Sequence, residues 1–160
     1  MDLVALEEIR SLKYRYLRTL DLRKWDEFAD TLAADIVADY GSPSGGRPLQ
    51  FTGRDAVVEY LSGAMSGTMI TSHIANHPEI AIDGDTASGS WAMEDTVIVP
   101  DYKVWIRGAA YYRDTYRREA DGRWRITSTG YQRTYEAIVP LSSIEGFSLV
   151  ASMWDPSIKH

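Results

Sequence analysis

At 160 residues, with 44% apolar and 25% charged side chains, the chain has the size and composition of one globular domain around a single core. A net charge of −6 argues against binding a phosphate backbone, which needs clustered Lys and Arg, and no apolar run approaches the roughly 20 residues of a spanning helix. The absence of cysteine excludes disulfides, thiolate nucleophiles and cysteine-bound metals, and the opening MDLVALEEIR lacks the basic segment of a secretion signal, so a cytoplasmic location is expected.

In chain order, Ile9, Leu12, Tyr16 and Leu20 recur at helical spacing and predict an amphipathic helix from Val4 to Leu20. After the short Asp21-Leu22-Arg23 connection, Trp25, Phe28, Ala29 and Leu32 form the stripe of a second helix, about Lys24 to Ala33. Ile36 to Tyr40 reads as a strand, Gly41 to Gly46 as a loop, and Leu49 to Thr52 as a short strand. A third helix follows from Arg54 to Met65, with Val57, Tyr60, Leu61 and Met65 near one face. From Met69 the pattern turns to period two, with a strand region over 69–82 and a kink or bulge at Pro78. The Asp83-Gly84-Asp85 hairpin turn leads into two long strands, about 86–99 and 104–118. Asp121-Gly122 then turns the chain into a last strand from Trp124 to Tyr135. Helices followed by an antiparallel meander predict an α+β fold, a strongly curved sheet wrapped around helices. The stretch from Ala137 to His160 carries Ile138, Val139, Leu141, Phe147, Leu149, Val150 and Trp154, too apolar for a free end.

Ten Tyr and five Trp against three Phe favour aromatics with a polar tip, suited either to pockets or to half-exposed strand faces. Tyr16 lies on the buried stripe of the first helix. Asp21, at or just past the helix end, gains nothing from the dipole there; it is a turn or capping residue, or a functional carboxylate. On a strand, His73, Ala75 and His77 share one face, where an imidazole is either a satisfied core residue or a base. Along 87–97 the apolar face holds Ala87, Gly89, Trp91, Met93, Asp95 and Val97, so Asp95 points to the core. There it is either held protonated or bonded to an Arg or Tyr of the neighbouring strand. Tyr112, Asp114 and Tyr116 alternate on the next strand, with Tyr112 inward and Asp114 expected to pair with one of Arg113, Arg117, Arg118, Arg123 or Arg125. Tyr40 is placed to reach the interior. His73 and His77 with Asp21 or Asp95 make a weak zinc set, so no metal is expected, and P-loop, G-x-G-x-x-G and G-x-S-x-G motifs are missing.

Taken together, the opening helix, LDLRKWDEFADTLAADIVADYG, the FTGRDAVVEYL helix, TSHIANHPEIAIDGDTA and the closing DGRWRITSTGYQRTYE resemble the SnoaL-like, nuclear-transport-factor-2-like superfamily over residues 1–136. The resemblance implies a cone-shaped α+β barrel, three helices on a curved, mostly antiparallel sheet around a pocket for a small apolar molecule. Residues 137–160 would then be a tail over the pocket or against a neighbouring subunit. In pattern the chain is most similar to scytalone dehydratase, bile-acid 7-alpha-dehydratase and hexachlorocyclohexane dehydrochlorinase. That likeness implies that Asp21 pairs with His73, which removes a proton alpha to a carbonyl. Tyr16 and Asp95 would hydrogen-bond the enolate or protonate the leaving group, and Tyr40, Trp91, Met93, Tyr112 and His77 would line the substrate. The activity so implied is a cofactor-free, dehydratase-type lyase acting on a steroid-, terpenoid- or polyketide-like molecule. The alternatives are a ketosteroid-isomerase-like isomerase or polyketide cyclase in the same pocket, and a non-catalytic binding or partner subunit. Similar dehydratases are trimers, so a homotrimer is expected ahead of a dimer, with neither nucleic acid nor membrane as partner.

Overall fold

A computed structural model of the protein describes residues 2–41 and 49–158. Helix α1, Leu3–Asp21, begins where the Asp2 carboxylate accepts the Ala5 N–H at 3.0 Å. It buries Ala5, Ile9, Leu12, Tyr16, Leu17 and Leu20 along one face. Helix α2, Trp25–Ala29, stops short of the expected Ala33. The Thr31 hydroxyl donates to the Phe28 carbonyl at 2.6 Å, and Leu32 already belongs to strand β1, Leu32–Asp39, opposite Ile126. Leu32 and Ala33 are buried in that strand, so tertiary pairing overrides a stripe that local spacing made helical. Strand β2, Gln50–Thr52, and helix α3, Arg54–Ala64, follow within a residue of expectation. The loop expected at Gly41 to Gly46 lies, from Ser42 on, outside the described residues.

Four long strands complete the chain: β3 Ile70–Asp83, β4 Thr86–Val99, β5 Val104–Arg118 and β6 Trp124–Pro140. The sheet order is β2-β1-β6-β5-β4-β3, antiparallel throughout except where β1 runs parallel to β6. Three helices pack on a six-stranded mixed sheet that curls without closing, which is the α+β architecture expected. Strand β6 runs past Glu136 to Pro140, so the first residues of the expected tail are strand, paired with the start of β5. Up to residue 158 the remainder touches its own chain, with the Phe147 ring 6.3 Å from Trp105 and the Trp154 ring 4.0 Å from the Arg23 guanidinium. Among the described residues no helix is long and apolar enough to cross a membrane.

Candidate functional site

Strand pairing sorts the inward side chains into rows. Gly89, Asp114 and Thr129 form one, Trp91, Tyr112 and Tyr131 the next, then Met93, Ala110 and Arg133, and last His73, Asp95, Gly108 and Glu136. Helix α1 follows the same direction, with Lys13 on Asp114, Tyr16 one turn further on, and Asp21 at His73. The far end is closed. Lys13, Tyr16, Trp91, Tyr112 and Tyr116 are almost fully buried, whereas the side chains of His73 and Asp21 keep 14% and 19% of their surface.

Asp21 holds His73 twice. Its Oδ2 accepts the His73 backbone N–H at 2.8 Å, and its Oδ1 lies 2.7 Å from the ring Nδ1. The Thr71 hydroxyl donates to Oδ1 as well, at 2.8 Å. These donors offset the cost of a carboxylate at a helix C-terminus, where the dipole is unfavourable. In the tautomer whose Nδ1–H donates to Asp21, Nε2 presents its lone pair. Among the described residues Nε2 has no hydrogen-bond partner.

The buried phenols form a group of their own. The Tyr16 and Tyr40 hydroxyls are 2.8 Å apart, and the Tyr131 hydroxyl donates to the Tyr40 carbonyl at 3.1 Å. One hydroxyl hydrogen joins the Tyr16–Tyr40 pair, and the other is not committed to it. Phe51 stacks on Tyr60 at 4.3 Å, and Tyr131 meets Tyr112 edge-on at 5.5 Å, so this flank is aromatic. Burial pushes the phenols of Tyr16, Tyr40, Tyr112 and Tyr116 above the ordinary value of 10.0, and they act as neutral donors at physiological pH. A raised tyrosine pKa lends stability that is complete below pH 10.0 and lost as pH rises above it, because the unfolded chain then releases protons that the folded one retains. Alkaline titration should therefore show these rings forming phenolate only together with loss of the circular-dichroism signal; full phenolate absorbance in folded protein would contradict it.

Residues 1–130 match the SnoaL-like domain family, well over half of the chain. The chain belongs to that family. Its fold is shared with a candidate scytalone dehydratase from Novosphingobium aromaticivorans, at 21% identity over 85% of this chain and 88% of that one, TM-score 0.75. It is shared too with a hexachlorocyclohexane dehydrochlorinase, at 18% identity over 86% and 90%, TM-score 0.74. ActVI-ORFA from Streptomyces coelicolor matches at 18% identity over 81% and 97%, TM-score 0.67. At such identities the likeness is one of fold, and the chemistry rests on the site.

Within this SnoaL-like framework three sequence expectations need correction. His77 does not share the face of His73. Pairing slips between Asn76 and Glu79, and His77 takes a left-handed φ of 50° before Pro78, so the bulge turns its ring out to solvent. The inward set resumes at Pro78 and Ile80. Asp95 does face inward opposite His73, but both of its oxygens accept from Arg133, which stands two strands away on β6 rather than on a neighbouring strand. It is a paired carboxylate and not a free acid. Arg133 Nε lies 3.4 Å from Glu136, giving a buried Asp95–Arg133–Glu136 group. Asp114, finally, pairs with no arginine among the described residues: the Lys13 ammonium sits 2.7 Å from it, and the Tyr116 and Thr129 hydroxyls donate to it at 2.8 Å each. Trp91 belongs to this deep network through its N–H to Tyr116, at 2.8 Å, and Met93 lies in the row above it.

Sequence reasoning missed Lys13, Arg133, Glu136, Phe51 and Tyr131 as site neighbours. Lys13 stands four residues from Ile9 and four from Leu17, which was the available signal. For Arg133 the signal was Gly108. A Cβ there would run into the Arg133 guanidinium and stand 3.0 Å from both an Asp95 oxygen and the Tyr135 carbonyl, so only glycine lets the pair cross β5. Gly108→Ala should cost about 1–3 kcal/mol by overpacking alone, at about 2–4 °C of Tm per kcal/mol in a domain of this size. A melting temperature equal to wild type would show that the crossing is not constrained. Among the described residues no group of three or more His, Cys, Asp or Glu is placed to hold a metal ion.

Proposed function

We propose that this SnoaL-like protein is a cofactor-independent lyase of dehydratase type, acting on a neutral, flat, apolar molecule of the steroid, terpenoid or polyketide kind. The observation that carries the reading is the His73–Asp21 pair, with Nδ1 tied at 2.7 Å and Nε2 unpartnered among the described residues. Nε2 takes the proton from the carbon alpha to a carbonyl, and Asp21 stabilises the imidazolium that forms. The free hydrogen of the Tyr16–Tyr40 pair donates to the enolate oxygen. The C–O bond of the beta hydroxyl then breaks, the enolate electrons form the new carbon–carbon double bond, and the departing oxygen leaves as water with the proton His73 gathered. Phe51, Tyr60, Tyr112 and Tyr131 supply the aromatic flank for a ring system. The dehydratase and dehydrochlorinase that share the fold support elimination as the reaction class.

A panel of beta-hydroxy ketones of these ring classes, incubated in heavy water, tests it. Loss of water from at least one, abolished in His73→Ala, is the expected result. Deuterium uptake with no elimination would move the reading to isomerisation or cyclisation, and binding with neither would make the protein a carrier.

A further inference from the structure

Arg23 follows the helix end by two residues and adopts φ 53°, a left-handed conformation that is strained for a non-glycine residue and persists where its surroundings demand it. Its guanidinium shows the demand. Nη1 donates to the Gly67 carbonyl at 2.9 Å and Nη2 to the Met69 carbonyl at 2.5 Å, the residues leading into β3. Asp21 takes up the same segment two residues later, through the Thr71 hydroxyl and the His73 N–H. Four alternate residues, 67, 69, 71 and 73, are thus gripped by two side chains that flank the end of α1. The Trp154 ring covers the guanidinium at 4.0 Å, and it comes from the segment after β6.

We infer that Arg23 is a positioning residue for the His73–Asp21 pair, with Trp154 as its cover. Arg23 does not reach the ring. It sets the path by which β3 enters, and so the height at which His73 meets Asp21. A planar fork with two donors on adjacent alternate carbonyls does this, which the single ammonium of lysine does not reproduce. The inference rests on the proton-transfer role proposed above.

The test reads the imidazole directly, by nitrogen-15 NMR of His73. Wild type should show one tautomer, hydrogen on Nδ1, and Asp21→Asn should lose it. Arg23→Gly relieves the left-handed φ while removing the fork, so a purely local turn role predicts a fold at least as stable with the signature intact. Positioning predicts loss of the single Nδ1–H resonance to a mixture of tautomers in protein that keeps its circular dichroism. Trp154→Ala should broaden the resonance less. Arg23→Lys is read if the glycine variant does not fold, and it should also lose the single tautomer. An unchanged signature in a folded Arg23 variant overturns the inference. Lack of the signature in wild type instead overturns the proposed function, so the two failures are distinct.

Discussion

Alanine in place of His73 should lower turnover by about 10²–10⁴-fold, the usual worth of a positioned general base, with little change in melting temperature. The ring makes one side-chain hydrogen bond, to Asp21, and stays partly exposed, so its loss leaves neither a large cavity nor a buried orphan. Asp21 behaves otherwise. Its carboxylate also ties the Thr71 hydroxyl and the His73 backbone N–H to the end of α1, so Asp21→Ala should cost about 1–3 kcal/mol in addition to activity. Asp21→Asn keeps an acceptor oxygen and separates the two effects, with activity falling further than stability. Because His73 and Asp21 act as one unit, the double variant should be little slower than the worse single one. Rates on a turned-over ketone and Tm values for the set check this; near-normal turnover in His73→Ala would remove it as the base.

Asp114→Ala should destabilise the protein by about 3–5 kcal/mol, since it leaves the Lys13 ammonium buried without its counter-charge. The Lys13 and Asp114 side chains have no exposed surface, and the ammonium lies 3.4 Å above the Tyr112 ring and 4.8 Å from Tyr16. Burial lowers the Lys13 pKa and Asp114 holds it up, so removing Asp114 lowers it further. A lysine depressed below 10.5 binds fewer protons folded than unfolded, so its penalty is full at low pH and shrinks as pH rises toward 10.5. The deficit of Asp114→Ala against wild type should accordingly be larger at pH 6 than at about pH 9. Replacing both partners, Lys13→Met with Asp114→Asn, should recover part of the loss, because a neutral pair needs no counter-charge and the amide oxygen can still accept a hydroxyl hydrogen bond. Chemical denaturation of the two variants measures both effects; Asp114→Ala within about 1 kcal/mol of wild type would mean that the pair is solvated after all.

Much of the molecule follows from local pattern. The spacing of Ile9, Leu12, Tyr16 and Leu20 is enough to place α1, because period 3.6 and a capping Asp2 are properties of neighbours in the chain. Period two and the Asp83-Gly84-Asp85 turn place the long hairpin in the same way, and the direction of Asp95 follows from alternation along β4. Asp21 and His73 were legible as a pair through the family resemblance; alone, each carried a second reading.

What the chain could not declare by itself are the relations between elements far apart in sequence. Leu32 is strand because Ile126 lies beside it, and His77 leaves the interior because a bulge before Pro78 shifts the alternation by one residue. Lys13 looks like a solvated helix charge until β5 brings Asp114 to it, and Asp95 looks like a lone acid until Gly108 lets Arg133 pass. The physical reason is common to these cases. Periodicity records which face a side chain occupies, and that is encoded within a few residues. Which charge neutralises a buried charge depends on strand order and register, and the tertiary fold alone decides those.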